Sequence, residues 1–195
     1  IDLTAGKVRN EPTSKDFALK YLGGRGFNSR RLYELVKPGT DALDPDNVLI
    51  FGVGPLVGTP TPSCARFNVS AKSPLTDILG DSNSGGFFGP ELKFAGYDGL
   101  VIEGIANGPV YIWVHDGVVE LRNAEQVWGK TTKETQEGIR RELNDQLTRI
   151  ASIGPAGEKL VRFACILNEL KFANGRGGLG AVMGAKKLKA IAVRG

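Results

Sequence analysis

Three stretches dense in glycine constrain this chain more than any other feature: Leu22-Gly23-Gly24-Arg25-Gly26, Asp81-Ser82-Asn83-Ser84-Gly85-Gly86 and Asn174-Gly175-Arg176-Gly177-Gly178-Leu179-Gly180. The chain carries 27 glycines in 195 residues, about twice ordinary usage. Many of these glycines close turns in a strand-rich domain. Where Gly is interleaved with Arg or Asn beside an apolar segment, the backbone can approach a ligand closely and present bare N–H groups to an anion, and a neighbouring guanidinium adds bidentate recognition. The stretches that mix glycine with Asn and Arg therefore point to a phosphate-bearing ligand.

The rest of the chain bounds what that ligand could serve. A length of 195 residues, 41% hydrophobic and 24% charged, suits one soluble domain with a substantial core. The formal charge of +4 is too modest, and its lysines and arginines too dispersed, to point to nucleic acid. The runs Lys186-Lys187-Leu188-Lys189 and Arg140-Arg141 read as solvated helix faces. Cys64 and Cys165 are the only cysteines and His115 the only histidine. The chain by itself lacks the ligands for a four-cysteine iron–sulfur cluster or a zinc site, and it has no Ser-His-Asp arrangement. The two cysteines read as buried thiols of a reducing compartment. No apolar run approaches the ~18 residues of a membrane span, and no secretory signal opens the chain. Both ends read as cut from something longer.

Local signals predict an α+β domain with no linker or repeat. A hairpin is expected from Ile1–Thr4 and Lys7–Asn10 through Ala5-Gly6. Ser14 caps a helix to Leu22, and a second helix follows Gly26 and stops before Pro38. Strands are expected at Val48–Val53 and over Phe67–Ala71, the latter half-buried because apolar residues alternate with Asn68 and Ser70. Asp81–Gly86 reads as a turn, with Asn83 either shaping it or offering an amide oxygen to Mg²⁺. Arg66 opens a strand. Pro90 starts a short helix that Gly96 ends. Further strands are expected at Leu100–Glu103, Val110–Val114, Val118–Leu121, Ile150–Ile153 and Phe163–Leu167, the second and third joined as a hairpin by His115-Asp116-Gly117. Thr131 and Glu134 form a capping box, and a helix over Leu179–Leu188 leads into a final strand. Gly175–Gly180 satisfies G-x-G-x-x-G. A dinucleotide fingerprint also needs a strand before it and an acidic residue about 20 positions on; Leu170–Asn174 is not a clean strand, and the chain ends before the acidic position.

The strings Lys72-Ser73-Pro74-Leu75-Thr76, Asn83 through Asp98 (NSGGFFGPELKFAGYD), Ile153-Gly154-Pro155-Ala156-Gly157-Glu158 and Gly175 through Gly184 (GRGGLGAVMG) together resemble the amino-terminal domain of tungsten-containing aldehyde ferredoxin oxidoreductases, and the resemblance runs from Ile1 to Gly195. It implies a saddle-like domain of two β-sheets with flanking helices, holding a bis-pyranopterin cofactor with tungsten or molybdenum. By the same resemblance Arg66 lies near the cofactor phosphates and the iron–sulfur cluster. Asn83 and the Ala173 carbonyl serve a Mg²⁺ that bridges the phosphates, and Gly85, Gly86, Gly175, Arg176 and Gly177 line the cofactor. Phe172 stands where relatives often carry Arg, so only its backbone can contribute. Cys64-Ala65 replaces two glycines before Arg66. The family implies oxidation of an aldehyde to a carboxylic acid, with electrons leaving through a [4Fe-4S] cluster to ferredoxin in the cytoplasm. The cluster cysteines and acid–base residues lie in C-terminal domains of the same polypeptide, which also allows a homo-oligomer. Membrane and nucleic-acid partners are not expected. Two other readings stay open: a non-catalytic domain that kept the saddle, and a nucleotide-phosphate binder using Gly175–Gly180, which a strand directly before Gly175 would favour.

Overall fold

Apolar residues of this chain fall into three packed clusters, and these fix the layering of a mixed α+β fold with two sheets and six helices. The structure, a computed structural model, describes residues 1–195. The first sheet has the order β3-β2-β1-β4, from strands β1 (Leu49–Val53), β2 (Phe67–Lys72), β3 (Leu79–Ser84) and β4 (Gly99–Ile102), all antiparallel. The second has the order β6-β5-β10-β7-β8-β9, from β5 (Val110–His115), β6 (Val118–Asn123), β7 (Arg149–Ser152), β8 (Ile166–Asn168), β9 (Phe172–Asn174) and β10 (Leu188–Arg194). Only β5 and β10 pair in parallel. Neither sheet closes into a barrel.

The inner faces of both sheets share one core with α3 (Phe88–Phe94) and α6 (Leu179–Ala185), built around Phe51, Phe67, Phe88, Val182 and Ile191. The outer face of the second sheet is covered by α4 (Thr132–Leu143), whose Ile139 meets Tyr111, Trp113 and Ile150. The outer face of the first sheet is covered by α2 (Arg25–Leu35) through Leu32, Val48 and Ile50. Two short helices remain. α1 (Lys15–Tyr21) leads into α2 at the first glycine stretch, and α5 (Pro155–Glu158) packs against α6. At the α1–α2 corner a Cβ on Gly26 would lie 2.0 Å from the Tyr21 carbonyl oxygen, so no side chain fits there. This stretch shapes the corner between the two helices.

Caps and hairpins form where local chemistry demands them. Ser14 accepts from the Phe17 N–H, and the Thr131–Glu134 capping box is complete. β5 and β6 turn through Asp116 and Gly117, both at positive φ.

Several expectations are corrected by tertiary context. The N-terminal hairpin reduces to one bridge between Asp2 and Lys7, and Asp2 also bridges Glu103. The helix expected from Pro90 begins at Phe88. The one expected over Leu179–Leu188 ends at Ala185, and Leu188 opens β10. The strand expected at Phe163 starts at Ile166, leaving Phe163 exposed. β2 is buried on both faces, because Asn68 and Ser70 lie beneath Asn28 of α2, whose amide donates to Asn68 Oδ1 at 2.8 Å and to the Ile50 carbonyl at 3.3 Å. Asp81–Ser84 is not a turn but part of β3, paired along its length with β2. Cys64 and Cys165 are half-buried rather than buried. Lys186 and Lys189 are not solvated but fully buried. Arg140 is half-buried and donates to the Thr148 carbonyl at 3.0 Å.

Candidate functional site

The two sheets meet at their edges. β3 ends the first sheet, β9 ends the second, and the two strands lie against each other. No main-chain ladder joins them; side chains do. Asn174 Nδ2 donates to the Ser82 carbonyl at 2.9 Å, and the Arg176 N–H donates to Ser82 Oγ at 3.2 Å. Ser84 Oγ donates to Asn168 Oδ1 at 2.6 Å, and Asn168 Nδ2 donates to the Gly85 carbonyl at 2.9 Å. Ser73 Oγ donates to the Gly177 carbonyl at 2.7 Å. The Phe87 N–H donates to Glu169 Oε1 at 2.6 Å. Exposed strand edges are usually blocked by charge or cover. Here amide and hydroxyl side chains hold two edges together while leaving much of their main chain unpaired.

This seam gathers the second and third glycine stretches, whose Ser82 and Asn174 bond across it although 92 residues apart in sequence. Gly85 and Gly86 lie just past β3, and Gly175–Gly178 connects β9 to α6. The main-chain N–H groups of Gly85, Gly86, Gly175 and Gly177 donate to nothing within the chain. A Cβ on Gly178, which sits at φ +67°, would lie 1.8 Å from the Arg162 carbonyl oxygen, so the loop can turn here only as glycine. The Asn174 Oδ1 atom is buried without a partner. Arg176 is exposed in the loop, and Arg66 is exposed one residue before β2, where the register carried on from Phe67–Ser84 sets it opposite Gly85.

Phe172 and Ala173 are exposed on β9, and the Phe172 ring packs against Gly85 and Gly86. Asn83 is exposed on β3 on the face of Asn68 and Asp81. Its Oδ1 accepts from Asn68 Nδ2 at 3.3 Å. The sequence-predicted residues Arg66, Asn83, Gly85, Gly86, Phe172, Ala173, Gly175, Arg176 and Gly177 thus all fall along one seam. No group of three or more His, Cys, Asp or Glu side chains is placed to hold a metal ion.

Arg9, Arg25, Arg30, Arg31, Arg122 and Arg194 each have a carboxylate within 4.0 Å. Arg66, Arg140, Arg141, Arg149, Arg162 and Arg176 have none: Arg66 and Arg176 lie on the seam, Arg149 lies 4.7 Å over the Phe87 ring and the Arg162 carbonyl abuts Gly178, whereas Arg140 and Arg141 lie on α4. Asn168 and Glu169, which help fasten the seam, carry no motif in sequence, whereas Asn174 heads the third glycine stretch. Only the turn between β8 and β9 brings them to the edge. Glu169 and Leu170 take positive φ there, at 54° and 59°, a conformation that costs a non-glycine residue about 1 kcal/mol or more.

A strand does precede Gly175, contrary to the sequence reading. That strand, β9, pairs antiparallel with β8, and the strand after α6 pairs with β5 and β7 rather than with β9. A dinucleotide fingerprint requires a parallel βαβ unit at this point, which the topology does not supply.

Free amides, a glycine turn and guanidinium groups without carboxylate partners give the seam of this α+β domain a donor set that fits a phosphorylated ligand. The chain belongs to the family described as aldehyde ferredoxin oxidoreductase, N-terminal domain, which it matches over residues 1–195. It is 51% identical, over its whole length, to a tungsten-containing aldehyde ferredoxin oxidoreductase of Pyrococcus abyssi and 50% identical to that of Pyrococcus furiosus. It covers 32% of each, so the chain spans about a third of the length of these relatives. Among solved structures it is similar to a chain of the active site complex BamBC of benzoyl coenzyme A reductase in complex with 1,5-dienoyl-CoA, with a TM-score of 0.98 and 42% identity over 100% of this chain and 30% of that one.

Proposed function

We propose that this chain is the cofactor-holding domain of an aldehyde:ferredoxin-type oxidoreductase. The observation that carries the reading is the convergence of two glycine stretches, open main-chain amides and unpaired arginines on one seam. In this reading the seam holds a tungsten or molybdenum bis-pyranopterin in a saddle-like two-sheet domain. Arg66 and Arg176 contribute charge, and Gly85, Gly86, Gly175 and Gly177 contribute main-chain contacts. Phe172 contributes only its backbone. Asn83 and the Ala173 carbonyl offer hard oxygens to a Mg²⁺ among the phosphates, a cation that takes few protein ligands. When bound, the cofactor supplies the two-electron chemistry that converts an aldehyde to a carboxylic acid; this chain binds, orients and neutralises. The ligands of a [4Fe-4S] cluster, the acid–base groups and the docking surface for ferredoxin belong to C-terminal domains of the same cytoplasmic polypeptide, and residues 1–195 alone have no turnover.

A second reading has support of its own. The likeness to the benzoyl coenzyme A reductase complex spans the whole chain at 42% identity, so the same domain also suits an enzyme that reduces an aromatic acyl thioester. The higher identity to the aldehyde oxidoreductases favours the first.

The test is metal analysis of the full-length protein. Tungsten or molybdenum together with Fe and Mg is expected. Arg176→Ala is expected to lower the W or Mo content several-fold, by loss of a charge-assisted contact of roughly 1.5–3 kcal/mol, while the exposed, unpaired helix residue Arg141→Ala leaves it unchanged. Absence of W and Mo from the wild-type protein would favour the non-catalytic binding domain. Equal metal in the two variants would remove the Gly175–Gly177 loop from the site.

A further inference from the structure

We propose that Arg149 is an additional oxyanion-binding residue, holding a phosphoryl group at the Gly86–Phe87 end of the seam. The inference rests on the reading of the seam as a phosphate-cofactor site and extends it to a residue that no motif marks.

Three observations converge on Arg149. First, its place in β7 is fixed by alternation. Ile150 joins the cluster under α4, whereas Ala151 joins the inner core, so Arg149 shares the inner face with Ala151. That face is the one against which α3 packs, and Phe87 is the N-cap residue just before α3. Second, the guanidinium lies over the Phe87 ring at 4.7 Å. Stacking satisfies the face of a guanidinium and leaves its edge N–H groups free as a planar fork. Third, those donors have no internal acceptor. Nε is buried with no hydrogen-bond partner, and no carboxylate lies within 4.0 Å. The Glu169 carboxylate accepts from the Phe87 N–H. A guanidinium held in place by stacking, with a desolvated and unpaired donor, lacks an acceptor that an anion would supply.

The neighbourhood raises that demand. Burial and, after it, the positive charge of Arg149 hold the Arg140 guanidinium below its ordinary range, while Glu169 and Asp145 oppose the shift. Gly85 and Gly86, whose N–H groups are free, immediately precede Phe87. Two amides and a planar fork at one end of the seam, with Arg176 and two more amides at the other, match a ligand with more than one phosphoryl group, as a bis-pyranopterin has.

The experiment uses the full-length polypeptide purified with its cofactor. Bound pterin per folded molecule and the half-time of pterin release after dilution are measured for wild type, Arg149→Gln, Arg149→Lys and Arg176→Ala. Arg149→Gln is expected to shorten the half-time roughly tenfold or more, the equivalent of one charge-assisted contact. Arg149→Lys keeps the charge and the stack on Phe87, and so a folded comparator, but loses the fork; it is expected to fall between Gln and wild type. Wild-type pterin content and release in both Arg149 variants, with pterin lost from Arg176→Ala, would overturn the assignment of Arg149 and leave the seam reading intact. Undiminished pterin in Arg176→Ala as well would mean that the seam reading itself fails.

Discussion

The two basic regions of this molecule look alike in sequence and serve opposite ends in structure. In the run Lys186-Lys187-Leu188-Lys189, two of the three lysines are fully buried and satisfied. Lys186 donates to the main-chain carbonyls of Pro45, Asn47 and Gly104, tying two loops to the start of β10. Lys189 donates to the Lys130 carbonyl at 2.9 Å and pairs with Glu158 at 2.5 Å. The arginines of the seam have the reverse character: Arg66 and Arg176 are exposed, and neither they nor Arg149 has a carboxylate partner. A buried cation that has found its acceptors within the chain is a fastener. A cation on a ridge of free amides with no acceptor is available to a ligand. Charge by itself does not separate the two; partners do.

The fastening half of this comparison should break first. Lys189→Ala leaves the Glu158 carboxylate, only 6% exposed, without its cation. Removing one partner of a buried pair costs about 3–5 kcal/mol, which for a domain of this size lowers the melting temperature by on the order of 10 °C. The double variant Lys189→Met/Glu158→Gln should lose much less, because no charge is left stranded. Thermal unfolding of the two variants checks this, and a wild-type melting temperature for Lys189→Ala would show that the pair is not a fastener.

Lys186 gives a smaller effect with a definite sign. Burial depresses its pKa from the ordinary 10.5 to about 8, although Glu103 and Asp46 oppose the shift. The folded state therefore gives up this proton before the unfolded state does. Between pH 8 and 10.5 the unfolded chain holds more protons, so stability from this group rises with pH across that window. Below pH 8 the cost of the buried charge is present in full, and the total gain is at most about 3 kcal/mol. The difference in unfolding free energy between wild type and Lys186→Met should grow in favour of wild type from pH 8 to 10.5; a pH-independent difference would mean that Lys186 does not titrate in that range.

What sequence made legible follows from the range of the interactions involved. The caps at Ser14 and Thr131 and the β5–β6 hairpin rest on residues within four positions of one another, and they form as expected. β3 was hidden because Asp81-Ser82-Asn83-Ser84 is turn chemistry locally, and only pairing with β2 makes it a strand. The burial of Asn68 was hidden for the same reason, since its acceptor role is met by Asn28, forty residues earlier. The glycine loops of the site could be found from composition. The seam could not, because it needs two sheet edges brought together by Asn168 and Asn174. Arg149 lies in an ordinary strand, and nothing beside it in sequence marks its missing partner.

The finest probe of the comparison is Asn83, which could belong to either half of it. It is exposed on β3, and its Oδ1 accepts a bond of 3.3 Å from Asn68. If that bond is its only task, it is a weak fastener. Asn68 Nδ2 also donates to the Asp81 carboxylate, and Asn68 Oδ1 is occupied by Asn28 and Ser70, so the loss of Asn83 strands nothing. Asn83→Leu and Asn83→Asp should then each change stability by no more than about 0.5 kcal/mol and leave bound Mg²⁺ untouched. If instead its oxygen serves a Mg²⁺ between phosphates, Leu removes a hard ligand from a cation that has few protein ligands to lose, while Asp retains a hard oxygen and adds a charge that the cation tolerates. The expected outcome in the full-length protein is the second. Mg²⁺ and pterin per folded molecule should fall clearly in Asn83→Leu and only slightly in Asn83→Asp, with both melting temperatures near wild type once the cofactor has been removed. Unchanged Mg²⁺ in Asn83→Leu would return Asn83 to the fasteners and leave the cation to main-chain oxygens such as that of Ala173.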